Sequence, residues 1–180
     1  MSDFAGEFHT IQGFVRLQDS AFREVLEDFA RALVGLGLRY EIARNWVDEI
    51  EWERTEEGLV YARDCESFEI GCTQLSGRPF VLGWTPSAWQ ALRYNWLEFG
   101  LYFRSDDLSH MPHYPETRYY PHVGAVLWSI IVRFGGVARN SGVFLANEAQ
   151  DGLAWEGQVT RSSQCWSFDM ALVPVIHASL

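Results

Sequence analysis

Residues 49–62 read EIEWERTEEGLVYA. From Glu49 to Arg54 the order alternates, with Ile50 and Trp52 on one face and Glu49, Glu51 and Glu53 on the other, which is the period-two pattern of a half-buried strand. Leu59 to Ala62 returns as a second strand-like run, and Gly58 supplies the left-handed position of the turn between them. A β-hairpin is therefore predicted. A second one follows: Phe68, Ile70 and Cys72 alternate, Ser76-Gly77 reads as the turn, and Pro79 to Trp84 comes back. Four strands in a meander make the expected sheet antiparallel.

Working outward, Phe22, Val25, Leu26, Phe29, Ala30 and Leu33 recur at helical spacing after Asp19 and Ser20, both good N-caps, and before Gly35 and Gly37. This predicts a helix over residues 20–35. Residues 7–17 carry Phe8, Ile11, Val15 and Leu17 without a clean period and read as a strand. Thr85-Pro86 puts an N-cap beside an N1 proline, with Trp89, Leu92 and Trp96 at i, i+3 and i+7, so a helix is expected from Pro86 to Leu97. Leu101 to Phe103 suits a short strand, and Ser105 to His122, with its three prolines, reads as a long loop. Val123 to Phe134, opened by Pro121, is apolar apart from Ser129 and Arg133 and closed by Gly135-Gly136. It is expected to be a buried helix, with a central strand as the alternative. Trp166, Phe168, Met170 and Leu172 alternate as in a half-buried strand. The expected fold class is α+β: a mainly antiparallel sheet, built as a meander of hairpins and packed with two to three helices, in one domain over residues 1–180.

Composition narrows the function. A chain of 180 residues hides roughly 70% of its unfolded surface on folding, and its 27 aromatics are far more than a disordered chain carries. All 14 basic residues are Arg, a bias that points to GC-rich coding and so to a bacterial source. Against them stand 24 carboxylates, and a net charge of −10 repels phosphate backbones and anionic lipid headgroups, which argues against nucleic-acid and membrane partners. The opening MSDFAGEFHT lacks the basic and apolar regions of a secretory signal. No uncharged run reaches the roughly 20 apolar residues of a spanning helix. Three cysteines without CxxC spacing (Cys65, Cys72, Cys165) read as reduced thiols in a cytoplasmic protein.

The charge is concentrated. Between Glu41 and Glu69 ten carboxylates face three Arg, which accounts for seven of the ten excess negative charges. In the hairpin reading Glu49, Glu51 and Glu53 repel one another along one face, tolerable only in water or against a cationic partner. One reading is an edge strand guarded by charge against aggregation. The other adds Trp46 and Trp52, because aromatics beside acids suit an interface that steers in a basic protein. The candidate partner-binding residues are Trp46, Asp48, Glu49, Glu51, Trp52, Glu53, Glu56 and Glu57.

Other clusters carry less. His110, His113 and His122, with Asp106 and Asp107 upstream, match no established metal spacing, so no metal is expected. Cys72 and Cys165 sit in strand-like alternation and read as buried structural thiols rather than nucleophiles. Gly135-Gly136 and Asn140-Ser141-Gly142 read as turns, not a phosphate loop, and no cofactor motif is present. The aromatics from Trp84 to Phe103 could line a ligand pocket, but their helical spacing favours core.

A compact, acidic chain bearing NWVDEIEWERTEEG at residues 45–58 resembles, in kind, the small immunity proteins that neutralise bacterial toxins. The resemblance implies one-to-one binding to a cognate toxin domain with a basic surface. Two rivals are a cytoplasmic chaperone of a secreted effector, which exposes an apolar surface for its client, and a small enzyme using the His and Asp residues of loop 105–122.

Overall fold

The computed structural model describes residues 8–17, 21–54, 60–62, 66–86, 92–108, 119–139, 141–147 and 170–172. In chain order these hold β1 (Phe8–Arg16), α1 (Phe22–Val34), α2 (Tyr40–Asp48), β2 (Trp52–Arg54), β3 (Val60–Ala62), β4 (Phe68–Glu69), β5 (Ser76–Trp84), β6 (Trp96–Arg104), α3 (Pro121–Ala138), β7 (Val143–Asn147) and β8 (Met170–Leu172). The fold is α+β. The strands form one antiparallel sheet in the order β2-β3-β5-β6-β1-β7-β8, with β4 lying beside the start of β5.

β1 lies in the interior of the sheet, flanked by β6 and β7. Every residue from His9 to Val15 is buried, which is why the stretch shows no clean alternation: a strand covered on both faces has no polar side to alternate with. Ile11 and Val15 join Val81, Leu97, Phe99, Leu101, Val143 and Leu145 beneath the three helices. On the opposite face Phe14, Trp84, Leu92, Trp96 and Phe144 form a second cluster with no residue from α1, α2 or α3.

The same two-sided burial overturns the helix expected from Pro86 to Leu97 over residues 92–97; residues 87–91 lie outside the described residues. Trp96 to Arg104 is instead a nine-residue strand paired to β5 and β1 along its length. The spacing of Leu92 and Trp96 fits a helix, but from Trp96 to Phe103 apolar side chains occupy both parities, so the short strand expected at Leu101–Phe103 extends backwards. Trp89 lies outside the described residues. Trp84, Trp96, Phe99 and Phe103 are buried, so these four rings of the aromatic cluster are core.

Three more expectations are corrected. Ser76 and Gly77 are the first residues of β5, opposite Glu69 and Phe68, and the reversal falls at residues 71–74, where Gly71 has φ of 57°. There Thr73 Oγ1 donates to the Ile70 carbonyl at 2.7 Å and accepts from the Leu75 N–H at 3.2 Å, local bonds that outcompete a Ser-Gly turn. Cys72, expected buried, is a free and exposed thiol on this turn; it should react with a thiol reagent in the folded protein, and Cys72→Ser should remove that fast-reacting equivalent. Finally, α3 continues through Gly135-Gly136 to Ala138. A Cβ at Gly135 would collide with the Leu172 side chain, so this glycine serves the close approach of β8 rather than a turn.

α3 is buried on one face only, through Val123, Leu127, Ile130, Ile131, Phe134, Val137 and Ala138. Its outer face leaves Trp128 44% and Val132 50% exposed. By length and composition it is the one helix among the described residues that could cross a membrane (18 residues, mean hydropathy 1.3), and its buried face rests on the sheet. It ends at Arg139, whose φ is 54°. That guanidinium is held above its ordinary pKa, chiefly by its hydrogen bond to Glu24 at 2.7 Å and further by Asp28, which ties α3 to α1.

The helix α1 expected over residues 20–35 is present, with Ala21 as its N-cap; Asp19 and Ser20 lie outside the described residues, as do Gly58, Cys65, Cys165, Trp166 and Phe168.

Candidate functional site

α2 is absent from the sequence reading, and it rearranges the acidic segment. Ile42, Ala43, Trp46, Val47 and Ile50 fall at helical spacing, a signal hidden by the strict alternation that follows. The helix ends at Asp48, Glu49 is its C-cap with its N–H on the Asn45 carbonyl at 2.8 Å, and the strand begins only at Trp52. Glu49, Glu51 and Glu53 therefore do not share a strand face: Glu49 and Glu51 stand exposed in the α2–β2 junction, and Glu53 alone is on β2, opposite Tyr61. The hairpin is real but shorter, Trp52–Arg54 against Val60–Ala62. Glu56 and Glu57 lie outside the described residues.

The two tryptophans brace this junction. Trp46 is half-buried with its ring edge-on to Phe29 at 6.0 Å, and Trp52 is half-buried 5.1 Å from Phe22, itself 38% exposed. Each is partly engaged with the main core.

α1 and α2 run antiparallel, because Arg23 at the start of α1 donates to Asp48 at the end of α2 at 2.6 Å. Arg23 also donates to Glu27 at 3.0 Å, and Arg44 lies 3.6 Å from Asp48. Glu27 first, then Asp48, raise the Arg23 guanidinium above its ordinary pKa. These groups are all solvent-exposed, so each pair contributes little stability and sets geometry instead. Between the helices lies an open groove of about 680 Å³, lined by Ala30, Val34, Gly35, Ala43, Val47 and Tyr40, with Arg23, Glu27, Arg31, Arg44 and Asp48 at its rim. Tyr40 is 59% exposed. Of these residues only Asp48 is a candidate binding residue in the sequence, since a groove between helices has no one-dimensional signature.

The acids sit at an unfavourable place. The C-terminal end of a helix carries partial negative charge, which disfavours Asp48, Glu49 and Glu51 there, and α2 has no basic residue in its last turn. Arg23 and Arg44 answer Asp48 from the side.

The His and Asp residues of loop 105–122 do not assemble into a site among the described residues. Asp106 and Asp107 lie on a short 3-10 turn (Ser105–Asp107), and His122 is the second residue of α3, stacked on Tyr120 at 5.9 Å. His110 and His113 lie outside the described residues. Among the described residues no group of three or more His, Cys, Asp or Glu is placed to hold a metal. Three polar contacts have no signal in the sequence: His9 Nδ1 lies 3.0 Å from Ser105 Oγ, and the buried Glu98 carboxylate accepts from Gln12 Nε2 at 2.9 Å and from Trp84 Nε1 at 2.6 Å.

No family model matches the chain, and no curated protein and no solved structure matches it either.

Proposed function

We propose that this chain is a cytoplasmic protein-binding inhibitor of the immunity type, which neutralises a cognate bacterial toxin by meeting its basic surface with the acidic, aromatic face at the α2–β2 junction. One observation supports this most: Asp48, Glu49 and Glu51 crowd the negative end of α2 beside the half-buried Trp46 and Trp52. Asp48 is paired with Arg23 and Arg44, and the exposed acids beside the two aromatic rings suit a cationic partner. The basic partner is steered in by the acids, and the aromatic edges supply the contact that holds it.

The test is a double charge reversal, Glu49→Arg with Glu51→Arg. Both side chains are exposed, and a cation suits a helix C-terminus, so unfolding stability should change by no more than about 0.5 kcal/mol or rise slightly. Association with the stoichiometric partner isolated from the source bacterium should slow by about tenfold or more at low salt, and lose most of its salt dependence. Unchanged kinetics in a well-folded variant would sink this reading.

A second reading, the effector chaperone, is favoured by the exposed Trp128 and Val132 on α3. It requires a client that binds there, so Trp128→Glu would abolish client binding while leaving the α2–β2 face unaffected.

A further inference from the structure

We propose that the outer face of α3 is a self-association surface, on which a second copy of this chain lays its own α3 antiparallel about a two-fold axis between Trp128 and Ser129. This surface is separate from the acidic face at the α2–β2 junction, since α1 packs against both α2 and α3, and it does not depend on the inhibitor reading.

The exposed residues of α3 form a self-complementary row. Pro121, Ala125, Trp128, Ser129, Val132 and Gly136 all face solvent, with Trp128 44% and Val132 50% exposed. When two copies are laid antiparallel with Trp128 of one beside Ser129 of the other, Val132 falls beside Ala125 and Gly136 beside Pro121, because the members of each pair stand equally far on either side of the axis. Each large exposed side chain then meets a small one, the alternation that lets facing helices interdigitate. Ser129 tolerates burial at the axis: its Oγ donates to the Val126 carbonyl of its own helix at 2.7 Å, so closing the interface strands no hydroxyl. A Cβ at Gly136 would meet nothing within 4 Å, which leaves that end open to a neighbour.

Charge selects a second copy as the occupant. Each chain carries −10, so two copies repel wherever their acidic surfaces meet. α3 has no carboxylate among its 18 residues, and the guanidinium of Arg133 lies against Gly35 at the close of α1. The row from Ala125 to Val132 is thus uncharged: a basic partner gains nothing there, and an acidic chain loses nothing by meeting itself. Antiparallel packing also sets the positive N-terminal end of each helix beside the negative C-terminal end of the other. From Pro121 to Gly136 the row is about 22 Å long. It hides on the order of 400 Å² on each copy, against roughly 800 Å² per partner in a standard interface, so the dimer is weak and reversible, with a Kd of about 100 µM.

Sedimentation equilibrium of the full chain from about 10 µM to about 1 mM should show a reversible monomer–dimer equilibrium with that Kd. Trp128→Glu and Val132→Glu each place two like charges near the axis and should weaken the dimer at least about tenfold, while as exposed changes they spare the fold; if one of them disturbs folding, the other decides. The register has its own readout. In a Cys72→Ser background, Ser129→Cys should join two copies on mild oxidation through a disulfide that peptide mass maps to residue 129, whereas Ala125→Cys should not, since the two residues 125 lie about 10 Å apart along the helices. A chain that stays monomeric throughout, a dimer indifferent to both Glu substitutions, or cross-linking at 125 but not at 129 would overturn the proposal. So would a monomer that floats with phosphatidylcholine vesicles, which would make a lipid surface the occupant of this face.

Discussion

Glu98→Ala should destabilise the protein by about 3–5 kcal/mol, since it strands two buried N–H donors at about 1–3 kcal/mol each and leaves a small cavity besides. The donors are Gln12 Nε2 and Trp84 Nε1, each bound to a different carboxylate oxygen, and Glu98, Gln12 and Trp84 are all buried. Glu98 sits on β6 directly opposite Phe14 of β1 and Leu82 of β5, so its carboxylate joins the three central strands. Glu98→Gln keeps the shape and one acceptor oxygen but turns an amide N–H towards the other donor, and should cost about 1–2 kcal/mol. Equilibrium unfolding in guanidinium chloride, with the slope unchanged, reads both values. An alanine variant losing less than about 1 kcal/mol would show that the donors find other partners on relaxation.

Phe29→Ala should cost a similar amount, about 3–5 kcal/mol. Its ring is fully buried at the meeting of α1, α3 and the sheet, 5.0 Å from Phe99 and 5.3 Å from Phe134, while Trp46 of α2 stands at 6.0 Å. The aromatic contacts add to area burial by about 0.5–1.5 kcal/mol for each pair. Because Trp46 leans on this ring, the substitution should also loosen α2 and disturb the face that carries Asp48 and Glu49. A double-mutant cycle of Phe29→Ala with Trp46→Ala should return a coupling of about 0.5–1.5 kcal/mol. Strict additivity would mean that α2 is held by its other contacts, Ala43 and Val47.

Some elements were legible because their local pattern and their tertiary environment agree. α1 has one face in the core and one in water, so its 3.6-residue period survives in the chain, and the β2–β3 hairpin has strand-forming residues on both sides of its turn. The candidate interface was legible only as a concentration of charge. Its shape was not: the alternation from Glu49 to Arg54 straddles a helix end and a strand start, and six residues are too few to separate the two periods.

What the sequence determined by itself is therefore the class of the fold, α1, a helix over Val123–Phe134, a strand within residues 7–17, the pairing strands of both hairpins and the placing of most of the negative charge between Glu41 and Glu69. Tertiary structure decided the rest. β6 and β7 are buried on both faces, and a strand without a solvent side leaves no alternation to read. α3 runs on through Gly135-Gly136, and at Gly135 a side chain would meet Leu172, distant in sequence. The groove needs α1 and α2 brought side by side, and Glu98 finds its donors 86 and 14 residues away. Each of these depends on contacts between distant segments, and local propensity carries no information about which segments will meet.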